Sequence, residues 1–136
     1  MEDCLFCKIV KGEIPSKKIY EDDELLAFLD IFPFEKGHTL IIPKEHYENI
    51  LDIPKEKFLK VCSLAHSLAK DFDKKLGGCG FNLLQNTKSI AGQEIRHFHL
   101  HLIPRRENKG LFRLENKSNY INEEELDEYY KKLKID

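Results

Sequence analysis

The chain has 136 residues, enough for one domain with its own hydrophobic core. A formal net charge of -2 and a pI near 6.3 exclude a nucleic-acid coat or a binder of anionic membranes, because no broad basic excess exists to neutralise phosphate. No run approaches the roughly 18 apolar residues needed to span a bilayer, and acidic Met1-Glu2-Asp3-Cys4 lacks the plan of a signal peptide, so a cytoplasmic location is expected.

The first element is a short helix over Cys4 to Lys11, stopped by Gly12, after which Ile14-Pro15 forces an extended exit. Lys18 to Tyr20, Leu25 to Leu29 and Thr39 to Ile42 read as strands, each apolar or β-branched and bounded by acidic residues, Gly or Pro. Asp52 and Pro54 open the clearest helix, in which Phe58, Val61, Cys62, Ala65, Leu68, Ala69, Phe72 and Leu76 recur at steps of three and four. Gly77-Gly78 ends it. Phe81 to Asn86 and His97 to Ile103 supply two more strands, separated by a polar loop containing Gly92. Asn122 with Glu125 three residues on forms a capping box, and Leu126, Tyr129, Tyr130 and Leu133 then mark a last helix over about 123–133. One long helix among groups of short strands makes the fold class α+β with an antiparallel sheet, in a single domain over 1–136. The local basic group Arg105, Arg106, Lys109 and Arg113 reads as a solvated tail or as a guide for the anionic end of a substrate.

Two patterns carry chemistry. In His97-Phe98-His99-Leu100-His101-Leu102-Ile103-Pro104, three of the six histidines take alternate positions of a β-prone segment, so their imidazoles share one face while Phe98, Leu100 and Leu102 turn to the core. Such a face is a structural hydrogen-bonded one, a nucleophile with its helpers, or a metal site, since imidazole titrates near neutrality and its neutral nitrogen is a good donor. The second pattern is Cys4-x-x-Cys7, half of a metal site or a redox dithiol. The redox arrangement usually follows a strand in a βαβ context, which the N-terminal position does not supply, and a structural zinc needs four ligands. Cys62 and Cys79 read as ordinary reduced thiols.

The triad resembles the His-φ-His-φ-His-φ-φ signature of the histidine-triad (HIT) family of nucleotide hydrolases and transferases. Asp30-Ile31 with Gly37-His38-Thr39-Leu40-Ile41-Ile42-Pro43-Lys44-Glu45-His46 is similar to that family's nucleoside-binding segment. Asn82-Leu83-Leu84-Gln85-Asn86 with Ala91-Gly92-Gln93-Glu94 is similar to its phosphate-side loop, and Cys4 to Ile9 and Gly12 to Pro15 also match. The similarity covers residues 4 to about 105, leaves 106–136 as a C-terminal extension, and lies closest to the small Hint-like branch, in its zinc-containing bacterial type. The resemblance implies a five-stranded antiparallel sheet per subunit with one long helix and short terminal helices, and a homodimer joining two sheets.

The same resemblance implies residue roles. His99 would be the nucleophile, attacking an α-phosphate through Nε2 to form a covalent nucleotidyl-histidine that water hydrolyses. His101 would donate to phosphate oxygens or the leaving group, and His38 would complete the polar cluster. Asp30 would accept the ribose hydroxyls, and Phe6, Ile9, Ile31 and Leu40 would wall the base pocket, with plain core as the other reading of Ile9 and Leu40. Asn86 would reach ribose and phosphate, while Gly92, Gln93 and Ile95 would bring amides to the phosphate. Glu94 departs from the branch, which commonly has Ser or Thr there, and a carboxylate repels phosphate unless protonated or turned away. A structural zinc, not needed for the chemistry, would be held by Cys4, Cys7, His46 and His97. The implied substrate is a purine nucleotide conjugate, a nucleoside phosphoramidate first. A dinucleoside polyphosphate hydrolase, a zinc enzyme using the triad itself, and a purine-nucleotide-binding regulatory protein are the alternatives, and neither nucleic acid nor membrane is an expected partner.

Overall fold

In a computed structural model, residues 3–106 and 120–134 are described, and the chain divides into two units, Met1–Arg106 and Glu107–Asp136. Lys109 and Arg113 of the basic group lie outside the described residues. The first unit runs α1 (Leu5–Val10), β1 (Lys18–Glu21), β2 (Leu25–Leu29), β3 (Thr39–Pro43), α2 (Lys55–Lys75), β4 (Gly80–Leu84) and β5 (Leu100–Arg105). Its five strands form one antiparallel sheet in the order β1-β2-β3-β5-β4, so the strand carrying the end of the triad is flanked on both sides.

The continuous apolar runs of β2 and β3 follow from a sheet covered on both faces. Leu25, Ala27 and Ile41 turn to one face and pack with Leu100, Leu102 and Phe98 under Val61, Ala65, Leu68 and Phe72 of α2. Leu26, Phe28, Leu40 and Ile42, the alternate positions, turn to the other face and pack with Phe6 and Ile9 of α1. In β5 the alternation puts Leu100 and Leu102 on the α2 side, and His101, paired with Leu40, on the α1 side. Within β5, sheet pleat therefore separates Leu100 and Leu102 from the His101 imidazole.

Some boundaries differ from the sequence expectation. The strand expected from His97 starts only at Leu100, because the Phe98 N–H donates to the Tyr47 carbonyl at 2.7 Å and not to the sheet ladder. Asp52 does not cap α2: its carboxylate accepts the N–H groups of Glu48 and Asn49, both at 2.9 Å, closing the preceding turn, and Pro54 takes the N-cap position. The strand β4 stops at Leu84, where Gln85, Asn86 and Thr87 begin to bond among themselves. A 3₁₀ turn at Ser89–Ala91 lies in the loop that follows.

In the second unit, α3 spans Glu123–Leu133. Asn122 Oδ1 accepts the Glu125 N–H at 2.9 Å, and the Glu125 carboxylate accepts from the Ile121 N–H, one residue before the position an ideal capping box uses.

Candidate active site and metal centre

Two clusters lie on the α1 face of the sheet, and proton positions distinguish them. Backbone groups settle those positions, because a carbonyl only accepts and an N–H only donates.

Cys4, Cys7, His46 and His97 place their ligand atoms within 4.8 Å of one another. Cys4 is the N-cap of α1, its sulfur accepting the Cys7 N–H at 3.3 Å, which puts both sulfurs at the start of one helical turn. His46 follows β3, and its Nδ1 lies 3.3 Å from Cys7 Sγ. His97 Nδ1 lies 3.4 Å from Cys4 Sγ and 3.5 Å from Cys7 Sγ. Its Nε2–H donates to the Pro43 carbonyl at 2.8 Å, so the neutral ring turns the Nδ1 lone pair toward the sulfurs. Zinc bond lengths in a tetrahedron give sulfur–nitrogen edges of about 3.6 Å, close to these separations. Burial and then the Cys4 contact push the Cys7 thiol up to about 11, and burial pulls His97 down to about 4, so without a cation that thiol and that ring are neutral. Two soft sulfurs and two imidazoles, one of them braced by a carbonyl, fit a closed structural zinc site.

The second cluster is Asp30, His38 and His101, with His99 beside it. His38 Nδ1 accepts the Phe34 N–H at 3.0 Å, which places the His38 proton on Nε2. That N–H donates to His101 Nδ1 at 2.9 Å, which leaves the His101 proton on Nε2. A proton thus occupies the space between the two rings, where the cluster closes on itself by hydrogen bonding. His99 is held the opposite way: its Nδ1–H donates to the His97 carbonyl at 2.7 Å, leaving a lone pair on Nε2. The His99 and His101 rings are 4.9 Å apart, and Phe6 meets His99 edge-on at 5.1 Å. One ring offers a lone pair and its neighbour an N–H, side by side, as a nucleophile and a donor to phosphate require.

Electrostatics keep this pair neutral. Burial lowers the pKa of His99 and His38, and it lowers His101 to about 4 with help from the His99 and His38 rings. Asp30 opposes the shift at all three, with one carboxylate oxygen 3.8 Å from His38 Nε2. Its other oxygen accepts the Phe32 N–H at 2.8 Å.

The remaining candidate residues are placed as follows. Phe6, Ile9 and Leu40 are buried in the core on the α1 face, Ile95 packs against that core, and Ile31 is 78% exposed in the loop after β2. Asn86 Nδ2 donates to the Gly92 carbonyl at 3.4 Å, and a Cβ on Gly92 would come within 3.3 Å of that nitrogen. Gln93 is 7% exposed, with its side-chain amide committed to backbone: Oε1 accepts from Lys88 N–H at 2.7 Å, and Nε2 donates to the Glu48 and Ile95 carbonyls at 2.6 and 3.0 Å. Gln93 thereby shapes the loop. Glu94 lines a cavity with Cys4, His46, Glu48 and Arg96, beside the cysteine–histidine cluster. Sequence reading missed the Phe34 N–H that orients His38, a backbone contact with no residue-type signal.

The HIT domain family matches residues 11–108. A HIT-like protein of Methanocaldococcus jannaschii is 44% identical over 133 residues, covering 96% of this chain and 98% of its own length. The adenosine 5'-monophosphoramidase of Saccharomyces cerevisiae is 49% identical over 107 residues, 79% of this chain and 65% of that protein, and the adenylylsulfatase of Arabidopsis thaliana is 44% identical over 114 residues, 84% and 58%. Among solved structures, a HIT family protein from Bacillus anthracis superposes with a TM-score of 0.82 at 41% identity, covering 97% of this chain and 95% of its own. A zinc-bound histidine triad protein from Mycobacterium smegmatis gives 0.77 at 38% identity, covering 82% and 81%. By sequence and by fold, the chain belongs to the histidine-triad (HIT) family.

Proposed function

We propose that this protein hydrolyses a purine nucleotide conjugate at its α-phosphate, a nucleoside phosphoramidate first, through a covalent nucleotidyl-histidine on His99. The observation that carries the reading is the opposed tautomers of adjacent rings: His99 held Nδ1–H by the His97 carbonyl, His101 held Nε2–H by His38. His99 Nε2 bonds to phosphorus as the phosphorus–nitrogen bond breaks, while the His101 N–H neutralises charge on a phosphate oxygen or the leaving group. With Nδ1–H retained and phosphorus on Nε2, the His99 ring is cationic, and Asp30, which already favours charge on His99, stabilises it. Water then attacks phosphorus and releases the nucleotide. The leaving nitrogen departs as the amine with a proton taken up from solvent, and the water that attacks phosphorus returns one, so phosphoramidate plus water gives nucleotide plus amine.

Support also comes from the relatives named as an adenosine 5'-monophosphoramidase and an adenylylsulfatase. Asp30 would hold the ribose, Phe6 and Ile31 the base, and Asn86 with the amides of Gly92, Gln93 and Ile95 the phosphate side, with Ile9 and Leu40 backing the pocket from the core. Cys4, Cys7, His46 and His97 would hold a zinc ion whose contribution is structural, joining α1 to the segment that enters β5. The working unit would be a cytoplasmic homodimer.

The test is turnover of adenosine 5'-phosphoramidate by the wild type and by His99→Ala, with mass spectrometry of quenched wild type. Loss of hydrolysis in the variant and an AMP adduct on His99 are expected. Turnover that survives in His99→Ala overturns the nucleophile.

A further inference from the structure

The loop between β2 and β3 is held by side chains to which the proposed reaction gives no part. Glu35 is 4% exposed, and its carboxylate accepts from Arg105 Nε at 3.0 Å and from the Arg106 backbone N–H at 2.5 Å. The same guanidinium donates to Asn82 Oδ1 on β4 at 2.7 Å and lies over the Phe34 ring, 4.6 Å from its centroid. Pro104 packs against Gly37 so closely that a Cβ there would sit 2.9 Å from its Cγ. Pro104, Arg105 and Arg106, at the end of β5, therefore grip the Phe34–Gly37 turn.

That turn decides where a proton sits. The Phe34 N–H donates to His38 Nδ1, and the Glu35 carbonyl accepts the His38 N–H, both at 3.0 Å. Ring and backbone of His38 are thus oriented by the two residues that Arg105 touches. If the Phe34 N–H moved away, His38 could carry its proton on Nδ1 and turn a lone pair toward His101. The bond between the rings would then survive only with reversed polarity, with the His101 proton on Nδ1 and a lone pair where the phosphate is expected. A buried ion pair adds little stability over an apolar pair of similar volume, so fixed geometry is what it contributes here.

We propose that Arg105 and Glu35 are positioning residues: by clamping the turn at Phe34 and Glu35 they set the tautomers of His38 and His101, and so aim an N–H from His101 at the reacting phosphate. The catalytic half of this statement rests on the reading of His101 as a phosphate-side donor. The tautomers are a property of the substrate-free protein.

The test uses the zinc-loaded full chain, uniformly 15N-labelled, at a pH where the rings are neutral. Multiple-bond 1H–15N spectra report which nitrogen of His38 and of His101 carries the proton. The variants are Arg105→Met, Glu35→Gln, and the double variant Glu35→Leu/Arg105→Met, which removes the pair without stranding a buried charge. In the wild type both rings should be Nε2–H. In the variants His101 should show a mixed or inverted tautomer, and kcat on adenosine 5'-phosphoramidate should fall on the order of tenfold to a hundredfold, the scale of a misplaced catalytic group, with KM changed less than about twofold because no nucleotide contact is removed. A folded double variant with wild-type tautomers and kcat overturns the proposal, as does a wild-type spectrum with His101 protonated on Nδ1. Tautomers that shift as expected in a protein that turns over no nucleotide would uphold the clamp and overturn the hydrolase reading.

Discussion

Gly37 allows the docking of the Phe34–His38 turn to be measured. Its φ is +96°, where an L side chain costs roughly 1–2 kcal/mol, and an added Cβ would meet the ring of Pro104 at 2.9 Å. Pro104 is fully buried in β5 and opposite Phe81, so it has no flexible end to withdraw. Overpacking of this kind costs about 1–3 kcal/mol. Gly12 supplies the control, because its φ is +79° and nothing lies within 4 Å of its Cβ position. The expectation is a loss of about 1–2 kcal/mol for Gly12→Ala and about 2–5 kcal/mol for Gly37→Ala, so the difference isolates the Pro104 contact. Urea unfolding of zinc-loaded protein, with unchanged m-values, is the assay. Equal losses in the two variants would refute the close docking of this turn on β5.

Four other outcomes are expected. His101, held at about 4 by burial, binds its proton in the unfolded chain first, so its contribution to stability is complete above pH 6.5 and is lost as pH falls toward 4, by up to roughly 3 kcal/mol before allowance for partial exposure. Urea unfolding of wild type and His101→Gln over that range reads it, and a wild type no more acid-sensitive than the variant contradicts it. For the same reason the acid limb of kcat/KM should lie below pH 6.5, since burial also lowers His99, and a limb centred at or above 6.5 would count against neutral buried rings. Metal analysis after purification from zinc-replete medium should find one zinc per chain, absent in Cys7→Ser, whose thermal midpoint should fall; a metal-free wild type removes the zinc site and leaves the chemistry of His99 standing. Gln93→Ala should cost about 2–4 kcal/mol, because three backbone groups lose a buried partner, and should release the Lys88 amide to hydrogen exchange; continued protection there would show that Gln93 does not organise the loop.

What was legible in the sequence was what repeats locally. The two-residue period of Phe98, Leu100 and Leu102 against the histidines was readable because a sheet between α1 and α2 uses both faces, and the stripe Val61, Ala65, Leu68, Phe72 was readable for the matching reason in a helix. The start of β5 was not, because it depends on Tyr47 accepting the Phe98 N–H, a tertiary contact outside any local pattern. Arg105 looked like the head of a basic tail because its partner Glu35 is 70 residues away in sequence. Asp52 looked like a helix cap because caps and closed turns draw on the same residue types. Cys4 and Cys7 advertise half a metal site by spacing alone, while the backbone contact that turns His97 Nδ1 toward them comes from Pro43 and leaves no mark in composition.

The six-residue helix α1 has a consequence for how the chain is made. A helix that short is not stable alone in water, and its buried side chains rest on Phe28, Leu40, His97 and His99. During vectorial synthesis α1 leaves the ribosome before the strands, yet His97 and His99, which Phe6 meets edge-on, are encoded about 90 residues later. The cluster of Cys4 and Cys7 with His97 therefore cannot close until that residue has been made, and until then the two thiols remain accessible to metal, to oxidant and to whatever meets the nascent chain.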